Sequence, residues 1–262
     1  MRNDWRIIAT YFRLGALSEL EYRANFFVQI LESGLSLLVA LGGLAVVFNH
    51  TQTLGGWQPA ELAALVGIYL LVGGFIGLVI SPSMQKFMED IRKGTLDFTL
   101  TKPADAQLLI SVQRVQIWKL VDIGLGLAVL IVALLRLGTQ FSWGQALLFG
   151  VTLSAGGAIV YSFWLVLSTC AFWFVRIENI LVIFQSMYEA GRWPVGIYPQ
   201  WLRLILTFIV PVAFAVTVPA EGLVGRLTWP TLALALLLAG GMLLGSRFFW
   251  KFGVRFYSGA SA

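Results

Sequence analysis

Long apolar runs separated by short polar stretches dominate the pattern of this chain. A membrane-spanning helix needs about 20 consecutive apolar residues, and at least five runs approach or exceed that length. The pattern predicts an all-α polytopic membrane protein with a single transmembrane domain over 1–262. The clearest predicted spans cover about 25–48, 61–80, 118–136, 143–169 and 229–249.

One polar island, SPSMQKFMEDIRKGTLDFTLTK over 81–102, separates the second and third runs. Ser81 is a helix-capping residue, Pro82 suits the first helical position and Gly94 suits a helix end, which together predict a helix of about three turns. The spacing i, i+3, i+4, i+7 gives that helix one apolar face, formed by Met84, Phe87, Met88 and Ile91. We expect it to lie on a surface rather than to cross a membrane.

Three further stretches flank the spans. The segment 95–101 alternates, with Leu96, Phe98 and Leu100 on one side, until Lys102-Pro103 breaks the run. Polar residues recur on a helical pattern from Asp105 to Asp122, which predicts one long helix that continues as the third span. Aromatic, apolar and charged residues mix over 4–22, as in an N-terminal helix lying along the membrane surface.

The region 177–226 allows two interpretations. Hydropathy alone favours a fifth span over 202–218, although Pro211 interrupts it. The other interpretation places the fifth span at about 177–192 and makes 197–224 a re-entrant segment of two short helices that dips into the outer leaflet. Both interpretations give six transmembrane helices.

Charge sets the orientation and excludes one partner class. The segments on one side of these spans hold 14 of the 18 Lys and Arg residues, and cytoplasmic loops are the basic ones, so both termini should be cytoplasmic. The formal net charge of +5 comes from residues dispersed among the spans. No basic stripe is present, so we expect no nucleic-acid partner.

Candidate chemistry is sparse. With 58% hydrophobic and 12% charged residues, one histidine and one cysteine, the chain should hold no metal site and no catalytic cluster. It also lacks the GxxxxGK[ST] nucleotide-binding loop. We therefore expect neither a cofactor nor an enzymatic activity in this chain.

Charged residues within apolar sequence are the remaining candidates, because burying a charge costs roughly 2.5 to 3.5 kcal/mol on insertion scales. Glu32, Asp122 and Glu189 lie in predicted spans, and Lys119 is three residues from Asp122, which allows an ion pair. The acids either contact a transport pathway or are neutralised near the cytoplasmic surface by Arg23 and Lys119. Sequence leaves both possibilities open.

The order of these elements resembles the ABC-2 type ABC transporter permeases, in particular the six-span uncharacterised export permease subfamily. The resemblance covers nearly the whole chain, and its most specific parts are GTLDFTLTKP and the stretch 198–225, YPQWLRLILTFIVPVAFAVTVPAEGLVG. Pro211, Pro219 and Gly225 match the breaks of the family, which favours the re-entrant interpretation.

In that family the cytoplasmic loop after span two, here 81–103, carries a coupling helix that enters a cleft on a separate ATPase. The resemblance implies an ATP-driven exporter with two ATPase copies that bind ATP and Mg, and a second permease subunit, identical or related. It also implies a multi-pass protein of the prokaryotic inner membrane, in contact with lipid, and an unidentified hydrophobic or amphipathic substrate. The implied ATPase contacts are Gln85, Phe87, Met88, Asp90, Ile91, Arg92 and Lys93.

An ion- or proton-coupled secondary transporter is the alternative function. In that case Glu32 and Asp122 would be the coupling acids. Such carriers are commonly built from inverted repeats, and the two halves of this chain show no convincing similarity.

Overall fold

The protein is described by a computed structural model that covers residues 9–15, 17, 23–138, 142–174 and 178–257, with the backbone alone for 23 and 178–182. Within these ranges the chain is helical and has no strand, only an isolated bridge between Leu54 and Trp57. The fold is that of an all-α polytopic membrane protein, as the sequence predicts. Of the predicted interfacial helix, 9–15 is helical and the remainder lies mostly outside the described residues.

Eleven α-helices follow that first segment in the described chain. In order, α1 to α11 are Arg23–Phe48, Pro59–Phe75, Ser81–Lys93, Asp97–Leu100, Ala106–Val112, Leu120–Leu137, Trp143–Thr169, Glu178–Tyr188, Gln200–Leu204, Val218–Leu223 and Trp229–Val254. Short 3₁₀ or π turns extend several of them. We call the end of the bundle that carries α3 the α3 end, and the end that carries the loop 49–58 the opposite end.

The second span and the helix of the polar island form one continuous helix of 35 residues, Pro59–Lys93. The expectation that Ser81 caps a separate helix is wrong, because Ser81 has helical angles and its N–H bonds back to the carbonyl of Ile76 in the π turn Ile76–Ile80. Pro82 explains that turn. Proline has no N–H to donate to the carbonyl of Leu78 four residues earlier, so the regular series of helical hydrogen bonds is interrupted. A π turn accommodates such an interruption within a continuous helix.

The helix ends at Gly94, as the sequence predicts. Gly94 has φ of 70°, the left-handed conformation that suits glycine, and the N–H of Thr95 bonds to the carbonyl of Asp90 at 2.9 Å. The alternating segment that follows is not extended: Asp97–Leu100 is a short helix. Leu96 is therefore buried while Phe98 is 73% exposed, so the predicted common side of these residues does not form.

The predicted long helix over 105–135 is interrupted. α5 ends at Val112, a short connection follows, and the helix resumes at Ile117–Lys119 before α6. The connection is held to the continuous helix by the N–H of Gln116, which donates to the carbonyl of Leu78 at 2.9 Å. This hydrogen bond between distant parts of the chain stabilises the interruption of the helix, which the local sequence pattern does not predict.

The central packing joins α2 to α6. A Cβ on Gly126 would lie 2.7 Å from the carbonyl oxygen of Gly67 and 2.6 Å from the amide nitrogen of Leu71, so the two backbones touch. Gly73, on the same helix, makes room for the Tyr188 ring, to which an added Cβ would come within 3.2 Å. Gly241 and Gly245 meet no described atom within 4 Å and leave an open stretch of α11.

Helices α7 and α11 run parallel. Gly253, near the end of α11, contacts Thr169 and Phe172 at the end of α7, whereas the N-terminal halves of both helices share a groove lined by Trp143 and Leu236. The intervening chain must therefore pass from the α3 end to the opposite end of the bundle.

That passage is made by α8 and its 3₁₀ extension Glu189–Arg192, which lead to Ile197 beside Gly55 in the opposite-end loop. The segments Gln200–Ile209 and Ala213–Leu223 then form a pair bent by 78° around Pro211. After that pair, Arg226 donates to the carbonyl of Gly56 at 2.7 Å. The bent pair thus begins and ends at the same end of the bundle.

By length and composition, five described helices are able to cross a membrane, or six if the bent pair is counted as one span. The segment predicted as the fifth span, 177–192, contains α8 and its 3₁₀ extension, which together are shorter than those five helices. Its first residue lies outside the described part of the chain.

Candidate functional site

A polar cavity of about 330 Å³ lies among α1, α2, α6 and α8. The four charged residues that the sequence singles out within the spans, Glu32, Lys119, Asp122 and Glu189, all line it. They come from three different helices, so tertiary packing brings them to one place.

Asp122 is the most fully engaged carboxylate of this cavity. It lies 3.3 Å from the ammonium of Lys119 and accepts hydrogen bonds from Ser33 and, at 3.4 Å, from Gln29. The predicted pairing of Lys119 with Asp122 is therefore present. Because hydroxyl and amide donors add to the ammonium, the charge of Asp122 is compensated within the subunit.

Arg192 lies on a stack of aromatic rings at the other wall. Its guanidinium carbon is 5.4 Å from the centre of the Tyr69 ring, and that ring also stacks on Tyr188 at 4.9 Å. The hydroxyl of Tyr188 donates to the carbonyl of Tyr69 at 2.8 Å, and Arg192 reaches Ser36 at 3.5 Å. These contacts hold the Arg192 guanidinium in a fixed position.

Glu32 and Glu189 are different, because both are exposed. Among the side chains that the structure describes, neither carboxylate forms a salt bridge. The side chain of Arg23, which the sequence offers as a neutralising partner, lies outside the described side chains. Two carboxylates therefore remain open to the cavity.

The cavity follows the continuous helix from Tyr69 to Ser81. At 1.5 Å per residue this is about 18 Å, from the middle of the bundle to the α3 end. Gly77 lies in the π turn and packs on the aliphatic stem of Lys119, where a Cβ would be 3.0 Å from that side chain. The π turn is thus part of the cavity wall.

Beyond Ser81 the same helix becomes α3, whose two faces are sharply different. Phe87 is fully buried, with its ring 5.1 Å from that of Trp250 and 5.8 Å from that of Phe172. Met88 and Asp90 are also buried, and Asp90 bonds to Lys86 at 2.7 Å and to the hydroxyl of Thr95 at 2.9 Å.

The outward face of α3 is formed by a smaller set than the seven residues that the resemblance implies. Gln85, Arg92 and Lys93 are exposed and Ile91 is half-buried. Lys86 and Glu89 border them, and Lys93 pairs with Glu89 at 2.5 Å. Phe87, Met88 and Asp90 lie inside the subunit and instead fix the position of this face.

An ion pair ties the connection after α4 to the end of α11. The guanidinium of Arg247 pairs with the carboxylate of Asp105 and donates to Gln107 at 2.7 Å. The hydrogen bond from Arg247 lowers the pKa of Asp105 below its usual range. These contacts therefore hold the connection after α4 and the end of α11 together at the α3 end of the bundle.

The sequence model described as ABC-2 family transporter protein matches residues 35–261. The chain belongs to the ABC-2 transporter family. No curated protein and no solved structure matches it. The match confirms the resemblance, and it identifies the chain as a transporter membrane subunit rather than an enzyme.

Several cavity residues of this ABC-2 family chain are absent from the sequence prediction, although one group carries a signal. Gln29, Ser33 and Ser36 fall with the predicted Glu32 at i, i+4, i+7 and i+3 and form a polar stripe on an otherwise apolar helix. Tyr69, Tyr188 and Arg192 carry no comparable pattern. No group of three metal-ligating side chains occurs in the described part of this ABC-2 chain.

Proposed function

We propose that this chain is the permease subunit of an ATP-driven ABC-2 exporter, and that a separate ATPase docks on the outward face of α3. The observation that carries the proposal is the continuous helix Pro59–Lys93. One half of this helix forms a wall of the polar cavity, and the other half presents Gln85, Arg92 and Lys93 outside the bundle.

This arrangement supplies a direct mechanical link. Phe87 and Met88 anchor α3 in the core, so α3 cannot slide on the bundle without moving its neighbours. A tilt of α3 is transmitted along one helix to Ser81 and Gly77, which line the cavity. Binding of ATP and Mg by the ATPase would thereby change the shape of the cavity.

The proposed topology has six spans and places the α3 end in the cytoplasm. The described basic residues support it, because Lys86, Lys93, Lys102, Lys251 and Arg255 all belong to segments at or near that end. Residues 178–192 would make the fifth crossing, and the bent pair would be re-entrant, since Ile197 and Arg226 both contact the loop at the opposite end.

The complete exporter would contain two ATPase copies and a second permease subunit, identical or related, in the plasma membrane of a prokaryote. Support comes from the family and from the basic side of the bundle. The exposed apolar face of α1, with Leu31 at 75% and Leu38 at 70% exposure, fits contact with lipid or with that second subunit. The cargo would be amphipathic, because charged and apolar side chains both line the cavity.

The first experiment is purification of the tagged protein from native membranes in mild detergent, with mass spectrometry of what accompanies it. A subunit with a nucleotide-binding loop supports the proposal. If the protein comes alone, even after cross-linking, and vesicles depleted of ATP transport substrate with a proton gradient, the proposal is wrong and a secondary transporter replaces it.

The second experiment tests the docking face. The double variant Arg92→Glu/Lys93→Glu should lose the accompanying ATPase and its substrate-stimulated activity, since it reverses two exposed charges. Lys251→Glu/Arg255→Glu is the matched control, because it reverses two exposed charges at the same end, in the last turn of α11 and directly after it. Normal coupling in the first variant, with both variants monodisperse, would refute α3 as the docking helix.

A further inference from the structure

The charges of the cavity do not balance. Glu32, Asp122 and Glu189 face Lys119 and Arg192, which leaves an excess of one negative charge. The imbalance is local, because Asp122 is compensated by Lys119, Ser33 and Gln29. The excess therefore lies with the exposed carboxylates Glu32 and Glu189.

Arg192 and Glu189, one helical turn apart, interact electrostatically without forming a salt bridge in the described structure, so the two glutamates together still exceed the one nearby cation. Arg192 is instead held on the Tyr69 ring and beside Ser36. Tyr69 also stacks on Tyr188, and Glu32 and Glu189 are the cavity carboxylates that form no salt bridge among the described side chains.

Glu32 lies at the border between the polar stripe of α1 and its exposed apolar face. Val28 and Leu35 flank it on the surface of α1 at i−4 and i+3 and are 62% and 61% exposed. A ligand that reaches Glu32 therefore meets a negative group beside hydrocarbon. An exposed carboxylate beside apolar side chains is best matched by a cation that carries its own apolar part. The cationic group neutralises the carboxylate, and the apolar part covers the neighbouring hydrocarbon surface.

We propose that this cavity is a binding site for an amphipathic organic cation, with Glu32 and Glu189 as its counter-charges. The cationic group enters the cavity while the apolar part lies against α1. The conclusion that such cations are the exported substrates rests on the proposed export function. Binding of the cation can be measured on the permease alone, without ATP or ATPase.

The test uses the purified full chain in nanodiscs of zwitterionic lipid, with tetraphenylphosphonium as the probe. Tetraphenylborate, a probe of similar size and opposite charge, is the matched control, and protein-free nanodiscs give the lipid background. The protein should bind the cation above that background and not the anion. Equal binding of both probes, or no saturable binding of the cation, would overturn the proposal.

Variants locate the site. Glu32→Gln/Glu189→Gln should weaken binding of tetraphenylphosphonium by about tenfold or more, since both counter-charges are lost. Glu32→Asp/Glu189→Asp keeps the charges and should retain most of the binding. Asp97→Asn removes a carboxylate from α4, outside the cavity, and should bind as the wild type does.

Three results would contradict this assignment: unchanged binding in the Gln double variant, an equal loss in the Asp double variant, and an equal loss in Asp97→Asn. Folding is checked by size exclusion and thermal melting, and the single variants Glu32→Gln and Glu189→Gln, each removing one counter-charge, serve if the Gln double variant is unstable. Absence of a co-purifying ATPase would refute the exporter proposal but leave the binding result standing, so the two failures are distinguishable.

Discussion

The backbone N–H of Gln116 donates a hydrogen bond of 2.9 Å to the carbonyl of Leu78, in the middle of the longest helix. That carbonyl would normally accept from residue 82, which is a proline and has no N–H. The site that Pro82 leaves open is thus used to attach the connection between α5 and α6. Around it, the hydroxyl of Ser83 donates to the carbonyl of Arg114 at 2.8 Å.

Pro82→Ala should loosen this attachment. The new N–H can bond to Leu78 within the helix and compete with Gln116, and a net hydrogen bond of ~1 kcal/mol corresponds to about a fivefold change in opening. Hydrogen exchange of the Gln116 amide should therefore become faster. Pro59→Ala is the control, because Pro59 occupies the first turn of α2, where its N–H would have no helical partner. Unchanged exchange at Gln116 would contradict the role given to Pro82.

Gly126→Ala should destabilise the protein by about 1–3 kcal/mol, because the added Cβ forces α2 and α6 apart. Its neighbours would be backbone atoms of Gly67 and Leu71, which cannot rotate away. Gly124→Ala, two residues earlier on the same helix, meets nothing within 4 Å and should be neutral or slightly stabilising. Thermal melting in detergent distinguishes the two, and equal midpoints would show that the helices adjust freely.

Arg226→Lys should lower stability although it keeps the charge. Arg226 binds both oxygens of Glu61, at 2.7 and 3.0 Å, donates to Gly56, and lies 5.2 Å from the centre of the Trp57 ring. A lysine cannot make the forked contact, so we expect a loss of about 2 kcal/mol.

The control for that change is Arg203→Lys, because Arg203 bonds only to the carbonyls of Gly196 and Tyr198 and is exposed. Its melting temperature should change little. A similar loss of stability in both variants would mean that the forked contact of Arg226 with Glu61 does not contribute the expected stability.

Acid should remove the contribution of the Asp105–Arg247 pair. The hydrogen bond from Arg247 holds the pKa of Asp105 below its usual range, so the pair stabilises the fold above the unfolded pKa, about 3.9. That stability is lost as the pH falls through the lower folded pKa.

Comparison with Asp105→Asn tests this sign. The wild type should melt at a higher temperature than the variant at pH 7, by the small amount typical of a partly exposed ion pair, and this difference should shrink as the pH falls below the unfolded pKa of about 3.9. A difference that persists in acid would show that Asp105 acts through its size or its cap on Leu108 rather than through its charge.

Much of the fold could be predicted because its signals are local. Apolar length locates the long spans, and Gly94 ends α3 where the sequence places that end. The apolar face of Met84, Phe87 and Met88 is buried as its spacing indicates. The predicted helix start at Ser81 is wrong because it depended on a cap, whereas the helix continues through a π turn stabilised from outside.

The cavity was predictable only in part. Its charged residues stand out against apolar sequence, but Tyr69, Tyr188 and Arg192 resemble ordinary core or interface residues. Their role depends on stacking between helices that are more than 100 positions apart in the chain, as in the bond from Tyr188 to Tyr69.

The sequence by itself determined the membrane class, the positions of the long helices, the amphipathic face of α3 and the family, because each depends on neighbouring residues or on a motif. Tertiary structure decided which α3 residues face outward, how α2 and α3 join, and which charges share the cavity. Those features depend on hydrogen bonds and contacts between distant segments, such as Leu78 with Gln116 and Ser33 with Asp122, whose energies no local pattern encodes.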